Sequence, residues 1–192
     1  MNNMIIITGA NNGIGLECVK QFCTEYPSYI IVAISKNLNN LQQLEYSNLQ
    51  IHSCDVTDYQ HLEAIIDDLT QIHKINCLVN CAGTSYNGDF CDIETTKIQQ
   101  MIDVNIRGLT NTIELILPNM RLHKAGTIIN ISSLADRYPR PMSAVYGASK
   151  AYVKSLSDSL RVSEAKYNVR ICNISPAIID TPLLASVGKH QA

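Results

Sequence analysis

A tyrosine and a lysine stand four residues apart in Tyr146-Gly-Ala-Ser-Lys150, a spacing that puts phenol and ammonium on one face of a helix. A neighbouring cation favours phenolate and lowers a tyrosine pKa from its reference of about 10, making an acid/base group usable near neutrality. The chain has nine tyrosines, so such a pair arises easily by chance and takes its weight from its company. That company is a hydroxyl, Ser133, thirteen residues upstream and just past the run Ile128-Ile129-Asn130-Ile131. It also includes an amide, Asn105, in Asp103-Val104-Asn105-Ile106; alone, an asparagine inside a helix reads equally well as a solvated or tolerated residue. A second cluster, Thr8-Gly9-Ala10-Asn11-Asn12-Gly13-Ile14-Gly15, follows an apolar run and opens a helix. There Gly9 suits a tight turn, Gly13 lets backbone approach a pyrophosphate, Gly15 allows close helix–strand packing, and the helix start offers N–H groups to phosphate. Alone, the loop could equally be a structural turn. His73, Cys77 and Cys81 recur every four residues, but Cys77 lies in a strand-like run where that spacing separates the side chains too far to share an ion easily. They read as buried small groups, and no metal is expected.

Short apolar runs alternate with amphipathic stretches along the whole chain, and these must position the candidate groups. Met4–Ile7, Tyr29–Ile34, Leu49–His52, Cys77–Val79, Thr127–Ile131 and Val169–Ile174 read as strands, continuously apolar as in a sheet covered on both faces. Thr57, with Gln60 three residues on, reads as the capping box of a helix striped by Leu62, Ile65, Ile66 and Leu69. Ile98, Met101, Ile102, Ile106, Leu109 and Ile113 form a second stripe, and Val153, Leu156 and Leu160 a third in a helix from about Ala144 to Lys166. This alternation predicts one α/β domain over residues 1–192, a doubly wound parallel sheet of about six strands with helices on both faces. Ligands of such sheets bind beyond the carboxyl ends of the strands. That rule selects Thr8–Gly15, Ser35-Lys36, Asp55, Asn80–Gly83, Ser132-Ser133 and Pro176–Thr181.

Bulk properties narrow the possibilities. The chain has 192 residues, 15 Lys+Arg against 17 Asp+Glu for a net charge of −2, and 46% hydrophobic residues. It can bury a real core, and it lacks the basic surface that phosphate-backbone binding requires, so no nucleic-acid partner is expected. No apolar run approaches the roughly 20 residues of a membrane helix, and the start, Met-Asn-Asn-Met-Ile-Ile-Ile, lacks the features of a secretory leader. The seven cysteines are odd in number and scattered through apolar segments, unlike a disulfide framework. A cytoplasmic location is the expectation.

Taken together, Thr8–Gly15, Asp55-Val56-Thr57, Leu78–Gly83, Asn105, Ile129–Ser133, Tyr146–Lys150 and Pro176–Thr181 resemble the short-chain dehydrogenase/reductase family, in its order and over nearly the whole chain. The branch it resembles has a Gly-x3-Gly-x-Gly loop in a Rossmann-type NAD(P)-binding domain. The resemblance implies hydride transfer between a nicotinamide and a carbonyl or alcohol carbon of a small molecule, without membrane attachment. Tyr146 would protonate the carbonyl oxygen, Ser133 would hydrogen-bond it, and Lys150 would lower the Tyr146 pKa and bind the nicotinamide ribose. Asn105 would hold a water in a proton relay through Lys150. Gly9, Asn11, Asn12, Gly13, Ile14 and Gly15 would cradle the dinucleotide. Asp55 and Val56 would border adenine, Asn80, Ala82 and Gly83 would support the sheet and the adenosine ribose, and Pro176 and Thr181 would lie by the nicotinamide. The second strand ends Ala33-Ile34-Ser35-Lys36-Asn37 with no acid to accept from a ribose 2′-hydroxyl, so Ser35 and Lys36 favour a 2′-phosphate and NADP(H) over NAD(H). Lys36 also reads as an ordinary exposed turn residue.

The chain departs from the family pattern in three places. Cys81 stands where asparagine is commonest, and Ala177 replaces the usual glycine after Pro176, which would strain a backbone of positive φ. Only eleven residues follow Thr181, so the family's seventh strand is not expected here and the sixth would be an edge. A homodimer at most is the corresponding expectation. The leading expectation is an NADP(H)-dependent carbonyl reductase or alcohol dehydrogenase. The alternative is a shortened cofactor-binding or interaction module with little or no catalysis, while an epimerase or dehydratase fits the loop spacing poorly. Substrate choice would rest on residues such as Tyr86, Arg137, Pro139, Arg140, Met142 and the segment after Thr181. The two arginines could meet an acidic substrate or simply be solvated loop charges.

Overall fold

The computed structural model describes residues 2–181 and Leu183. Its strands are β1 (Asn2–Thr8), β2 (Ile30–Ser35), β3 (Leu49–Ser53), β4 (His73–Asn80), β5 (Gly126–Ile131) and β6 (Val169–Ile174). They form one parallel sheet in the order β3-β2-β1-β4-β5-β6. The helices are α1 (Gly13–Glu25), α2 (Tyr59–Ile72), α3 (Thr95–Ile102), α4 (Leu109–His123) and α5 (Ala144–Glu164). This is the expected α/β Rossmann-like architecture, with its strand order reversing between β1 and β4.

Alternate residues of β1 feed two cores, one on each face of the sheet. Met4 and Ile6 pack with Leu62 and Ile66 of α2, Ile113 and Ile116 of α4 and Val153 of α5. Ile5 and Ile7 pack with Val19 and Cys23 of α1. An isoleucine fully buried in this way contributes about 1.5–3 kcal/mol, which explains why the strands are apolar on both sides.

Three local expectations are corrected. The α2 cap is Asp58, not Thr57: the Asp58 carboxylate accepts from the His61 N–H at 3.2 Å, while the Thr57 hydroxyl donates to Asp55 at 2.8 Å. Strand β4 begins at His73 rather than Cys77 because a bulge at Asn76 absorbs one residue, and the Asn76 side chain accepts the Met4 N–H at 3.2 Å. The stripe from Ile98 to Ile113 is not one regular helix. A π-helical turn over Asp103–Gly108 joins α3 to α4 and rotates the register, leaving Ile102 43% exposed and Asn105 1% exposed.

Candidate active site

The carboxyl ends of β1, β2, β4, β5 and β6 open onto one cavity of about 540 Å³, at the point where the strand order reverses. Gly9, Asn12, Gly13, Ile14 and Gly15 form its wall beyond β1. Gly9 has φ +62° and lies so close to the β4 end that a Cβ there would stand 2.5 Å from the Ala82 nitrogen. A Cβ on Gly15 would stand 2.3 Å from the Gly9 carbonyl oxygen, so both positions require glycine. The Asn12 side chain does not cap α1; it accepts from the Asn40 amide at 2.9 Å, which leaves the first turn of α1, whose residues line the cavity, without that cap.

Beyond β5 and on α5 lie the groups that could do chemistry. Ser133, Tyr146 and Lys150 all line the cavity. The Ser133 hydroxyl caps a short 3₁₀ turn by accepting from the Ala135 N–H at 3.2 Å, and it lies close enough to the Tyr146 phenol to favour its ionised form. Lys150 is buried; its ammonium donates to the Ile131 carbonyl at 2.9 Å and lies 5.8 Å from the centre of the Tyr146 ring. Burial pushes the Lys150 pKa down to about 8, against the pull of Cys81 and Asp136. The reading that Lys150 brings the phenol toward neutrality is corrected. Burial raises the Tyr146 pKa above its ordinary value, and the opposing groups are the Ser133 hydroxyl and the Arg140 charge.

Asn105 lies behind this cluster, held on the π turn. Its side chain accepts from the Thr84 N–H at 2.8 Å and donates to the Thr84 carbonyl at 2.9 Å and the Ser149 hydroxyl at 3.0 Å. Its Oδ1 and the Lys150 ammonium approach the same spot beside Gly83, being 3.4 and 3.6 Å from where a Cβ there would sit. Gly83 itself lines the cavity.

The remaining predicted residues divide. Ser35, Pro176 and Thr181 line the cavity. Lys36, Asp55, Val56, Asn11, Asn80 and Ala82 do not form its wall. The Lys36 ammonium instead pairs with Asp55 at 3.1 Å, with its side chain 72% exposed. Burial pushes the Asp55 carboxyl up, but the Thr57 N–H and hydroxyl and Lys36 outweigh it and hold its pKa below the ordinary value. Val56 packs against Gly108, where a Cβ would meet Val56 Cγ2 at 2.5 Å. The Asn11 side chain is buried and accepts from the N–H groups of Asn40 and Leu41 at 2.9 and 3.2 Å. Asn80 centres a buried network. It accepts from Thr8 and Thr112 hydroxyls at 3.3 and 2.8 Å and donates to Asn130, which donates to Ser157 at 2.9 Å. Ala82 donates its N–H to the Thr8 hydroxyl at 3.4 Å.

The two sequence departures are accommodated. Cys81 lines the cavity and donates its N–H to the Thr8 carbonyl at 3.2 Å, so the β4 end is intact. Ala177 is not among the non-glycine residues of positive φ, which are Lys124, Met142 and Asn168, so its backbone does not meet the condition under which alanine would be strained. The segment after Thr181 lies outside the described residues except for Leu183, which lines the cavity.

Sequence reasoning missed Ser85, Asn87 and Ser143, which line the cavity, and Ser149, which fixes Asn105. The position of Ser85 and Asn87 just after β4 was the available signal; Ser149, inside Tyr146–Lys150, carried none. Of the residues named for substrate choice, Arg140 lines the cavity, whereas Arg137 turns to Asp136 at 2.9 Å. Tyr86 lines a smaller neighbouring recess, and Pro139 and Met142 line neither. Among the described residues no group of three or more histidines, cysteines or acids could hold a metal ion, and no helix is long and apolar enough to cross a membrane.

Comparison with known proteins agrees with this geometry. The sequence is 31% identical over 199 aligned residues to sulfoacetaldehyde reductase 2 of Chromohalobacter salexigens, covering 100% of this chain and 79% of that one. The fold superimposes on ElxO, solved with NADP bound, with a TM-score of 0.88 at 28% identity, covering 96% of this chain and 77% of that one. It also superimposes on 4-hydroxyisoleucine dehydrogenase, solved with NADH, with a TM-score of 0.84 at 28% identity, covering 96% of this chain and 79% of that one. The short chain dehydrogenase profile matches residues 3–192, and the chain belongs to that family of oxidoreductases.

Proposed function

We propose that this protein is an NADP(H)-dependent oxidoreductase that reduces the carbonyl of a small molecule, or oxidises the matching alcohol, with Tyr146 as its acid/base. The observation that carries this reading is a single cavity lined by Ser133, Tyr146 and Lys150 together with the glycine loop and the bare start of α1. The residues present suit a dinucleotide. Gly9 and Gly13 at φ +62° and +52° keep the loop free of side chains where a pyrophosphate would lie, and the α1 N–H groups would meet it. Lys150, Pro176 and Thr181 would hold the nicotinamide half. A nicotinamide bound there supplies or accepts the hydride.

This chain's own groups do the rest. Ser133 donates to the substrate oxygen, stabilising charge as it develops there, and Tyr146 gives that oxygen its proton in reduction. A phenol pKa raised by burial keeps the proton in place at neutral pH, which suits the reductive direction. Lys150, anchored on the Ile131 carbonyl, presents a cation at the phenol's ring and is mostly charged at pH 7. Asn105 and Ser149 hold the backbone of Thr84, and with it the position of Gly83, against this cluster.

The preference for NADP(H) rests on the end of β2, which offers Ser35 to the cavity, Lys36 beside it and no carboxylate of its own. The Lys36–Asp55 pair is exposed and worth at most about 1 kcal/mol, so a 2′-phosphate can compete for the ammonium. Thermal-shift titrations with NADPH and NADH test this. The wild type is expected to be stabilised by NADPH at lower concentration than by NADH, and Lys36→Ala to lose that difference while still binding both. Equal response to the two cofactors in the wild type refutes the preference, and response to neither refutes the cofactor site.

A further inference from the structure

We infer that Arg140 makes this site selective for carbonyl substrates that carry a second, anionic group, a carboxylate or sulfonate, a short chain length from the reacting carbon. The inference rests on the proposed reduction chemistry and specifies its substrate class.

Two cations, Lys150 and Arg140, stand in the cavity wall, and among its described lining residues there is no aspartate or glutamate. Lys150 is spoken for: it is buried and donates to the Ile131 carbonyl. The nearby Arg137 is neutralised by Asp136 and also donates to Ser175 at 3.3 Å. Among the described residues Arg140 has no carboxylate partner. Its charge acts through space on the Tyr146 phenol, whose ionised form it favours. A cation on the wall of a cavity without acids, beside the group that must give up a proton, is an attraction for an anion in the same cavity.

The local sequence restricts the backbone that carries this exposed guanidinium. Arg140 lies between Pro139 and Pro141, which fix their own φ angles and confine Arg140 to extended backbone. The loop is pinned on one side by the Tyr138 N–H on the Leu134 carbonyl at 3.0 Å. On the other, the Gly88 N–H donates to the Met142 carbonyl at 2.9 Å. The same cavity wall carries Ser143 and Asn87, themselves joined at 3.3 Å, as further hydrogen-bonding groups. A planar guanidinium pairs two oxygens of a carboxylate or sulfonate at once, and a stiff loop loses little freedom in doing so.

The test uses 3-oxobutanoate, 4-oxobutanoate and 4-oxopentanoate, each beside its methyl ester, which keeps the carbonyl and removes the charge. Calorimetric titration into the full chain saturated with NADP+ or NAD+, whichever binds more tightly, reads binding alone, because the oxidised cofactor has no hydride to give. At least one acid is expected to bind about tenfold more tightly than its ester, with that ratio falling to near one in Arg140→Gln and partly returning in Arg140→Lys. Acids and esters that bind alike, no binding by any acid, or a ratio that survives in Arg140→Gln each overturn the inference. A parallel assay of NADPH oxidation separates the two claims. Selective binding without turnover refutes the proposed reduction and leaves the anion site standing, while turnover without acid selectivity does the reverse.

Discussion

Replacing Asn105 by alanine tests whether the π turn and the site it serves are held by one amide. Asn105 is buried, and its side chain satisfies both the N–H and the carbonyl of Thr84, at 2.8 and 2.9 Å, as well as the Ser149 hydroxyl at 3.0 Å. Alanine leaves the two half-buried backbone groups of Thr84 without these partners, at about 1–3 kcal/mol each, lessened where water can reach them. Alanine's better helix propensity returns roughly 0.6 kcal/mol. The expected net loss is about 2–4 kcal/mol, or a Tm lower by about 4–16 °C for a chain of this size. Urea unfolding followed by circular dichroism measures the first quantity and a thermal scan the second. Asn105→Asp keeps the acceptor for the Thr84 N–H but sets a carboxylate against the Thr84 carbonyl, so it should be no more stable than the alanine variant. A loss below about 0.5 kcal/mol in Asn105→Ala would show that the Thr84 loop is held elsewhere and refute the reasoning.

Lys150 gives a pH signature. With its pKa at about 8 in the native state and 10.5 as the ordinary value, the unfolded chain binds a proton that the native chain lacks between those limits. Stability relative to Lys150→Met should therefore rise with pH across that window by about 3 kcal/mol and be flat below it, as urea unfolding at stepped pH would show; a difference that does not change with pH contradicts the depressed value. Gly9→Ala places a Cβ 2.5 Å from backbone at φ +62°, so it should cost about 2–4 kcal/mol and abolish the thermal shift given by NADPH. Gly83→Ala meets its nearest atoms at 3.4 Å and is expected to fold almost as well as the wild type, a contrast read by the same thermal scan.

The sheet was legible because Ile5, Ile7, Ile31, Val32 and Ile34 lie in runs apolar on both faces, a pattern that a covered parallel strand demands. The cavity was legible because the strand-end rule needs only the strand positions; that rule places Ser133 at its wall, and the family resemblance adds Tyr146 and Lys150 from α5. What stayed hidden depends on three-dimensional neighbours. Lys36 meets Asp55 across nineteen positions of sequence, so its pairing is invisible from the β2 end alone. Thr57 and Asp58 are both competent caps, and the choice between them is made by Asp55, which takes the Thr57 hydroxyl. The π turn at Asp103–Gly108 leaves no mark in hydrophobic periodicity, since one extra residue only blurs the stripe that contains it. The direction of the Tyr146 pKa follows from burial, which a Tyr-x3-Lys motif does not encode.

The central claim is hydride transfer at a carbonyl with Tyr146 as the proton donor. Its most direct test follows deuterium from C4-deuterated NADPH into the carbinol carbon of the product, over a panel of aldehydes, ketones and oxo acids, with wild type and Tyr146→Phe side by side. The account predicts transfer by the wild type to at least one member of the panel and a rate lower by about 10²–10⁴ in the phenylalanine variant. No label in any product from the wild type, or transfer by Tyr146→Phe within twofold of it, would contradict the account.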